Sequence, residues 1–282
     1  LFLAGDYEFA IRSYLKVLVL CYPSRHMPAA SYGLGLCQWM RGDFGRAQRQ
    51  WQQTLHDFPG TEAAHDAAVA LAALPDGQTG QKTAALAPLP AWQPAYDTWP
   101  ERGMTYGVAL YEQGLPRFAF KEMVKLIQGE YGPTSLKPRA RYQAGLAALG
   151  FGRPGAAALE WRLCLRDYPN SPWARRSEAA LKALITAGQL TKGGLANPLP
   201  APPRKSKPNC RQRLNIANEF FDAGLIDDEE TVLEYLKALT VTRASPGGYD
   251  QTVVPQAEAR LAQCLRRRTS AAARPDHRRP VE

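Results

Sequence analysis

The chain has 282 residues, 45% of them hydrophobic and 22% charged, with a formal net charge of +9 and a pI of about 9.4. That composition suits a folded soluble protein. Five cysteines without CxxC spacing argue against a zinc site or a disulfide framework, no apolar run reaches ~18 residues, and the lack of strict alternation argues against strands. What remains is an all-α chain rich in alanine, the residue of best helix propensity.

The chain opens on Leu1 to Gly5, which reads as the end of a helix whose start is missing, so the sequence is expected to be truncated. Residues 1–74 form a first helical module. Within it, Gly42-Asp43-Phe44 leads to Ala47, Trp51, Leu55, Phe58 and Pro59. Counted from Phe44, Ala47, Trp51, Leu55 and Phe58 fall at 3, 7, 11 and 14, one face of a helix. Gly5-Asp6-Tyr7 opens a similar run to Ala10, Tyr14, Leu18 and Cys21. Thr61 to Leu74 is a lone closing helix. A Pro/Ala-rich linker, 75–101, carries Trp92, Tyr96 and Trp99, which a linker cannot bury against itself and which are expected to anchor it along a groove.

Residues 102–187 form a second module. Gly114 begins a weaker copy, through Phe118, Ala119, Met123, Ile127 and Tyr131. Gly152 begins a strong one, through Ala157, Trp161, Leu165, Tyr168 and Pro169. Ser171 to Ala187 is its closing helix. A second Pro-rich linker, 188–209, is biased toward polyproline II. A small helical unit, 210–267, follows, and 268–282 is a basic tail, a solvated terminus or an arm for an anionic partner.

The glycines at 5, 42, 114, 152 and 224 keep a phase of about 36 residues even across the gaps. A glycine suits the left-handed end of each helix, Asp6 and Asp43 suit N-caps, and prolines close the units. This pattern resembles the tetratricopeptide repeat, whose period is about 34. The resemblance implies an α-solenoid of helical hairpins in short capped modules joined by extended linkers. Tyr14, Trp51 and Trp161 share one offset and are expected at equivalent interior positions. Cys21, Cys37 and Cys164 read as core fillers, although a Cys21–Cys37 bridge is conceivable. Gly33-Leu34-Gly35 reads as helix packing, not as a nucleotide loop.

No phosphate loop, HExxH or GxSxG motif occurs. His26, His56, His65 and His277 form no ligand set, Glu122 and Glu130 read as solvated, and Asp227 to Glu230 suits a helix N-terminus. The expectation is therefore no catalysis, no cofactor and no metal. Solenoids hold partners on a concave face, and the side chains left unclaimed by packing are Tyr32, Gln38, Arg41, Tyr106, Arg139 and Gln143.

Phe58-Pro59-Gly60-Thr61 and Tyr168-Pro169-Asn170-Ser171, each followed by alanine at the same offset, resemble the unit junctions of bacterial envelope repeat proteins. That resemblance implies a protein–protein scaffold that assembles envelope complexes in the periplasm or at the outer membrane, with membrane association through partners or an N-terminal anchor. A cytoplasmic location stays open. Two alternatives stay open as well. One is an accessory subunit of a large membrane or organelle assembly. The other is an adaptor whose basic tail binds an anionic surface or, less favoured, nucleic acid.

Overall fold

The computed structural model describes residues 2, 5–74, 98–131, 134–190, 208–244 and 253–272. Among these there are twelve α-helices, one π-helical turn and no strand. Consecutive helices pack against each other. The chain divides into two compact units, one of residues 1–123 and 131–136, the other of 124–130 and 137–282.

The first unit holds α1 (Tyr7–Leu15), a π-helical turn (Lys16–Leu20), α2 (Met27–Met40), α3 (Phe44–Asp57), α4 (Glu62–Ala72) and α5 (Trp99–Glu112), with most of α6 (Pro116–Ile127). The helix starts follow the sequence. Asp6, Asp43, Thr61 and Thr98 each accept a bond from a backbone N–H three residues on, at 3.4, 3.1, 3.2 and 3.4 Å. Gly42 ends α2 in the left-handed region at φ 77°. There the Asp43 amide donates back to the Gln38 carbonyl at 2.9 Å, closing the helix and freeing the chain to reverse into α3.

Residues 102–123, grouped by their phase with 124–187 in the sequence, lie here with α1–α4. The reason is local. The π turn leaves carbonyls without intrahelical partners, and Arg102 donates to those of Leu20 and Tyr22 at 3.3 and 3.0 Å. Tyr106 donates its hydroxyl to the Arg12 carbonyl at 3.3 Å.

The second unit holds α7 (Lys137–Gly150), α8 (Pro154–Asp167), α9 (Pro172–Thr186), α10 (Pro208–Asp222), α11 (Glu229–Ala244) and α12 (Val253–Ala272). Helix α12 runs past the boundary at 267 into the first residues of the expected tail; 273–282 lie outside the described residues. Gly152 ends α7 as Gly42 ends α2, at φ 78°, with Arg153 N to Ala148 O at 2.9 Å.

The two strong copies are related position by position, each residue 110 after its counterpart, as Trp161 is from Trp51. Both rings are buried, at 2% and 1% exposure. Trp51 Nε1 donates to the Tyr32 carbonyl at 3.3 Å and Trp161 Nε1 to that of Tyr142 at 3.1 Å. The tyrosine and tryptophan rings stand 6.4 Å apart at 31° in both copies. Gly35 and Gly145 make this possible: a Cβ on either would fall 2.3 or 2.1 Å from the indole nitrogen. The GxG of α2 is thus a packing notch.

Tyr14 does not share that environment. It is half-buried against Gly33 of the following helix. Cys37 and Cys164 are buried as expected, but Cys21 is exposed at the end of the π turn, and both Cys21 and Cys37 are free thiols.

Candidate binding surface

Helix α7 packs on α8, α8 on α9, and α7 also touches α9. The first helices of neighbouring hairpins therefore lie side by side, as α2 and α4 do in the other copy. On the α7–α9 face, Trp173 is half-buried with its ring 5.6 Å from that of Tyr142. Two guanidinium groups lie over that indole, Arg176 at 4.4 Å and Arg139 at 5.7 Å from its centroid. Such stacking fixes an arginine while leaving its charge available.

The charge of the face is one-sided. Helix α7 carries Lys137, Arg139 and Arg141 and no carboxylate; α9 carries Arg175, Arg176 and Lys182 against Glu178 alone. Lys182 pairs with Glu178 at 2.9 Å, and Arg141 turns inward. Among the described residues no ion pair engages Arg139, Arg175 or Arg176. The equivalent positions of the other copy are different in kind. Ala29 stands for Arg139, Ala63 for Trp173 and Asp66 for Arg176. Helix α2 has no charged residue, and α4 carries Glu62 and Asp66.

Behind this face the interior also differs between copies. In the first, Ser31, Gln50 and Thr54 form a buried neutral network, with Ser31 and Thr54 hydroxyls 2.7 Å apart and Gln50 donating to Ser31 at 2.9 Å. In the second, Arg141 and Glu160 occupy the positions of Ser31 and Gln50 and pair at 2.6 Å. Glu219 of α10 then approaches Arg141 at 3.6 Å. One guanidinium thus faces two carboxylates. Burial, and the charge of Glu160 beside it, push the Glu219 carboxyl up to about 7, while Arg141 and the amide of Gln128 oppose that rise. Arg141 itself is held charged by Glu160 and Glu219 against the cost of its burial.

Of the side chains singled out from sequence, Arg139 and Gln143 lie on α7, half-buried, and Arg139 belongs to the cluster above. Tyr32 is half-buried against Trp51. Arg41 is exposed and donates to the Gln113 carbonyl at 3.4 Å. Gln38 and Tyr106 are inside the first unit with no exposed surface; the Gln38 amide donates to Gln113 and the Tyr106 hydroxyl to the Arg12 carbonyl, while Gln38 Oε1 is buried without a partner. They are not groove residues. Glu122, expected in solvent, is buried between Arg12 at 3.6 Å and the Tyr131 hydroxyl at 2.6 Å.

Trp99 is not linker. It opens α5 behind the Thr98 cap, with Pro100 and Glu101 in the first turn, and is 60% exposed. Trp92 and Tyr96 lie outside the described residues. Trp173 and Arg176 went unmarked in the sequence, although comparison at the 110-residue spacing exposes both as departures from Ala63 and Asp66.

No group of three or more His, Cys, Asp or Glu placed to hold a metal occurs among the described residues, nor does a helix long and apolar enough to cross a membrane. Burial pushes the Cys37 thiol up to about 11 and raises those of Cys164 and Cys264, so all three stay protonated at neutral pH. The chain is an all-helical protein of consecutively packed helices, an architecture compatible with a helical repeat fold. No protein family, curated protein or solved structure matches it.

Proposed function

We propose that the chain is a tetratricopeptide-like scaffold that binds other proteins and catalyses nothing, working as an assembly component of a bacterial envelope complex. The observation that carries this reading is the side-by-side placement of α7 and α9, first helices of successive hairpins, with Arg139, Gln143, Trp173 and Arg176 on them. A face built in this way accepts an extended segment or a helix of a partner. The envelope assignment rests on the two junctions at Pro59 and Pro169, where Thr61 and Ser171 cap α4 and α9 through the Ala64 and Ala174 amides at 3.2 and 3.1 Å.

A photo-crosslinking residue placed at Gln143 in the full chain tests the binding reading in cells. The expected result is a discrete protein adduct from position 143 and none from a control at Arg166, exposed near the end of α8. Equal yields from both positions would remove the reading. Fractionation of the same cells tests location, with the adduct expected in the envelope fraction.

A further inference from the structure

We propose that the partner segment taken by the α7–α9 face is an acidic peptide stretch, held by Arg139 and Arg176 where they stack on Trp173. The inference rests on the scaffold reading above and adds the chemistry of what is held.

Its basis is the internal comparison. The two copies bury the same tryptophan against the same glycine and bond it to the same tyrosine carbonyl. The framework therefore requires Tyr142, Gly145 and Trp161. It does not require Arg139, Trp173 or Arg176, because the first copy builds the same packing with Ala29, Ala63 and Asp66. Side chains that packing does not demand have been placed together on one face, and they are two cations on one indole.

The cations are held for use. Stacking on Trp173 at 4.4 and 5.7 Å restricts Arg176 and Arg139 before any ligand arrives, so less freedom is lost on binding. A carboxylate ligand would give these donors what the protein itself does not supply, and planar guanidinium groups match carboxylates two bonds at a time. The indole and the Tyr142 ring provide an apolar floor for the stems of Glu or for a neighbouring apolar residue. Two adjacent helices, α7 and α9, present that floor, which suits a peptide segment laid along them.

The test uses the full chain and fluorescence anisotropy with three labelled probes of equal length: oligoglutamate, oligolysine and oligothymidylate. Oligoglutamate is expected to bind and oligolysine is not. The triple variant Arg139→Ala, Trp173→Ala, Arg176→Asp installs what the first copy already carries, so its helical circular dichroism should match the parent. Its affinity for oligoglutamate is expected to fall about thirtyfold or more, and that of Trp173→Ala alone about tenfold, the effect of removing an aromatic anchor. The reciprocal graft Ala29→Arg, Ala63→Trp, Asp66→Arg is expected to add a second binding equivalent.

Three results would overturn the inference: no binding of oligoglutamate, equal binding by parent and triple variant, or tighter binding of oligothymidylate, which would mark a nucleic-acid surface. The crosslink at Gln143 separates the two readings. An adduct that persists while oligoglutamate fails leaves the scaffold and removes the acidic partner. Loss of both removes both.

Discussion

A glycine opposite an indole is the smallest unit on which this fold depends. At Gly35 and Gly145 the missing Cβ lets the neighbouring helix approach until Trp51 or Trp161 reaches a backbone carbonyl. Helix propensity alone would favour alanine at either site by about 1 kcal/mol. Steric overlap opposes it, because both indoles are buried in packed surroundings with little room to retreat; overpacking of this kind costs about 1–3 kcal/mol or more. Gly35→Ala and Gly145→Ala are therefore expected to be destabilising by about that amount in urea denaturation. Gly155, in α8 with nothing within 4 Å of its absent Cβ, isolates the propensity effect, and Gly155→Ala is expected to gain up to about 1 kcal/mol. If all three substitutions moved stability the same way, the close approach would not be what limits these sites.

Helix α10 enters the second unit with a carboxylate where the pairing of charges is already complete. Arg141 is matched by Glu160, so Glu219, its Oε2 shielded from solvent and accepting no hydrogen bond, is favoured with its proton on. Its folded-state value of about 7 lies above the ordinary 4.5, so the folded chain binds that proton more tightly than the unfolded one. The resulting stability is complete below the ordinary carboxylate range and is lost as pH rises through about 7. Between pH 5 and pH 8.5 the unfolding free energy is expected to fall by about 1–3 kcal/mol through this group. Glu219→Gln keeps an acceptor for the Gln128 amide without the charge, and should flatten that slope; a variant as steep as the parent would place the effect elsewhere. None of this was legible in the sequence, because Arg141 meets partners on two other helices. Periodicity reveals which face of a helix is apolar, and it found the Trp51 and Trp161 faces and the glycine stops at Gly42 and Gly152. It cannot reveal a polar partner 75 residues away, so Gln38, bonded to Gln113, was read as groove. It also placed Trp99 in a linker, although Thr98, Pro100 and Glu101 form a local helix start that was readable.

Across the whole molecule the same framework is finished in two ways, and the difference sets where it should open first. Helix α4 buries Ala63, Ala64 and Ala67, while Val69 stays 57% exposed and Leu71 half-buried. Helix α9, at the equivalent place, buries Ala174 and Ser177 and also Leu181 and Leu184, at 7% and 4% exposure. Leu71 and Leu74, the counterparts of Leu181 and Leu184, pack on the Trp51 cluster only half-buried; full burial of a leucine contributes about 1.5–3 kcal/mol, so α9 holds to its hairpin by a margin of about 1–2 kcal/mol over α4. The inner pairs α2–α3 and α7–α8, each closed around a tryptophan, should be tighter than either. Local opening follows the least buried element. Hydrogen exchange on the full chain is therefore expected to be fastest at α4, slower at α9 by about tenfold, and slowest in the α2–α3 and α7–α8 pairs. The distinction matters for binding: α9 carries Trp173 and Arg176, and a partner held there needs a helix that stays seated. Protection of α4 equal to that of α9 would mean that apolar burial does not rank these helices.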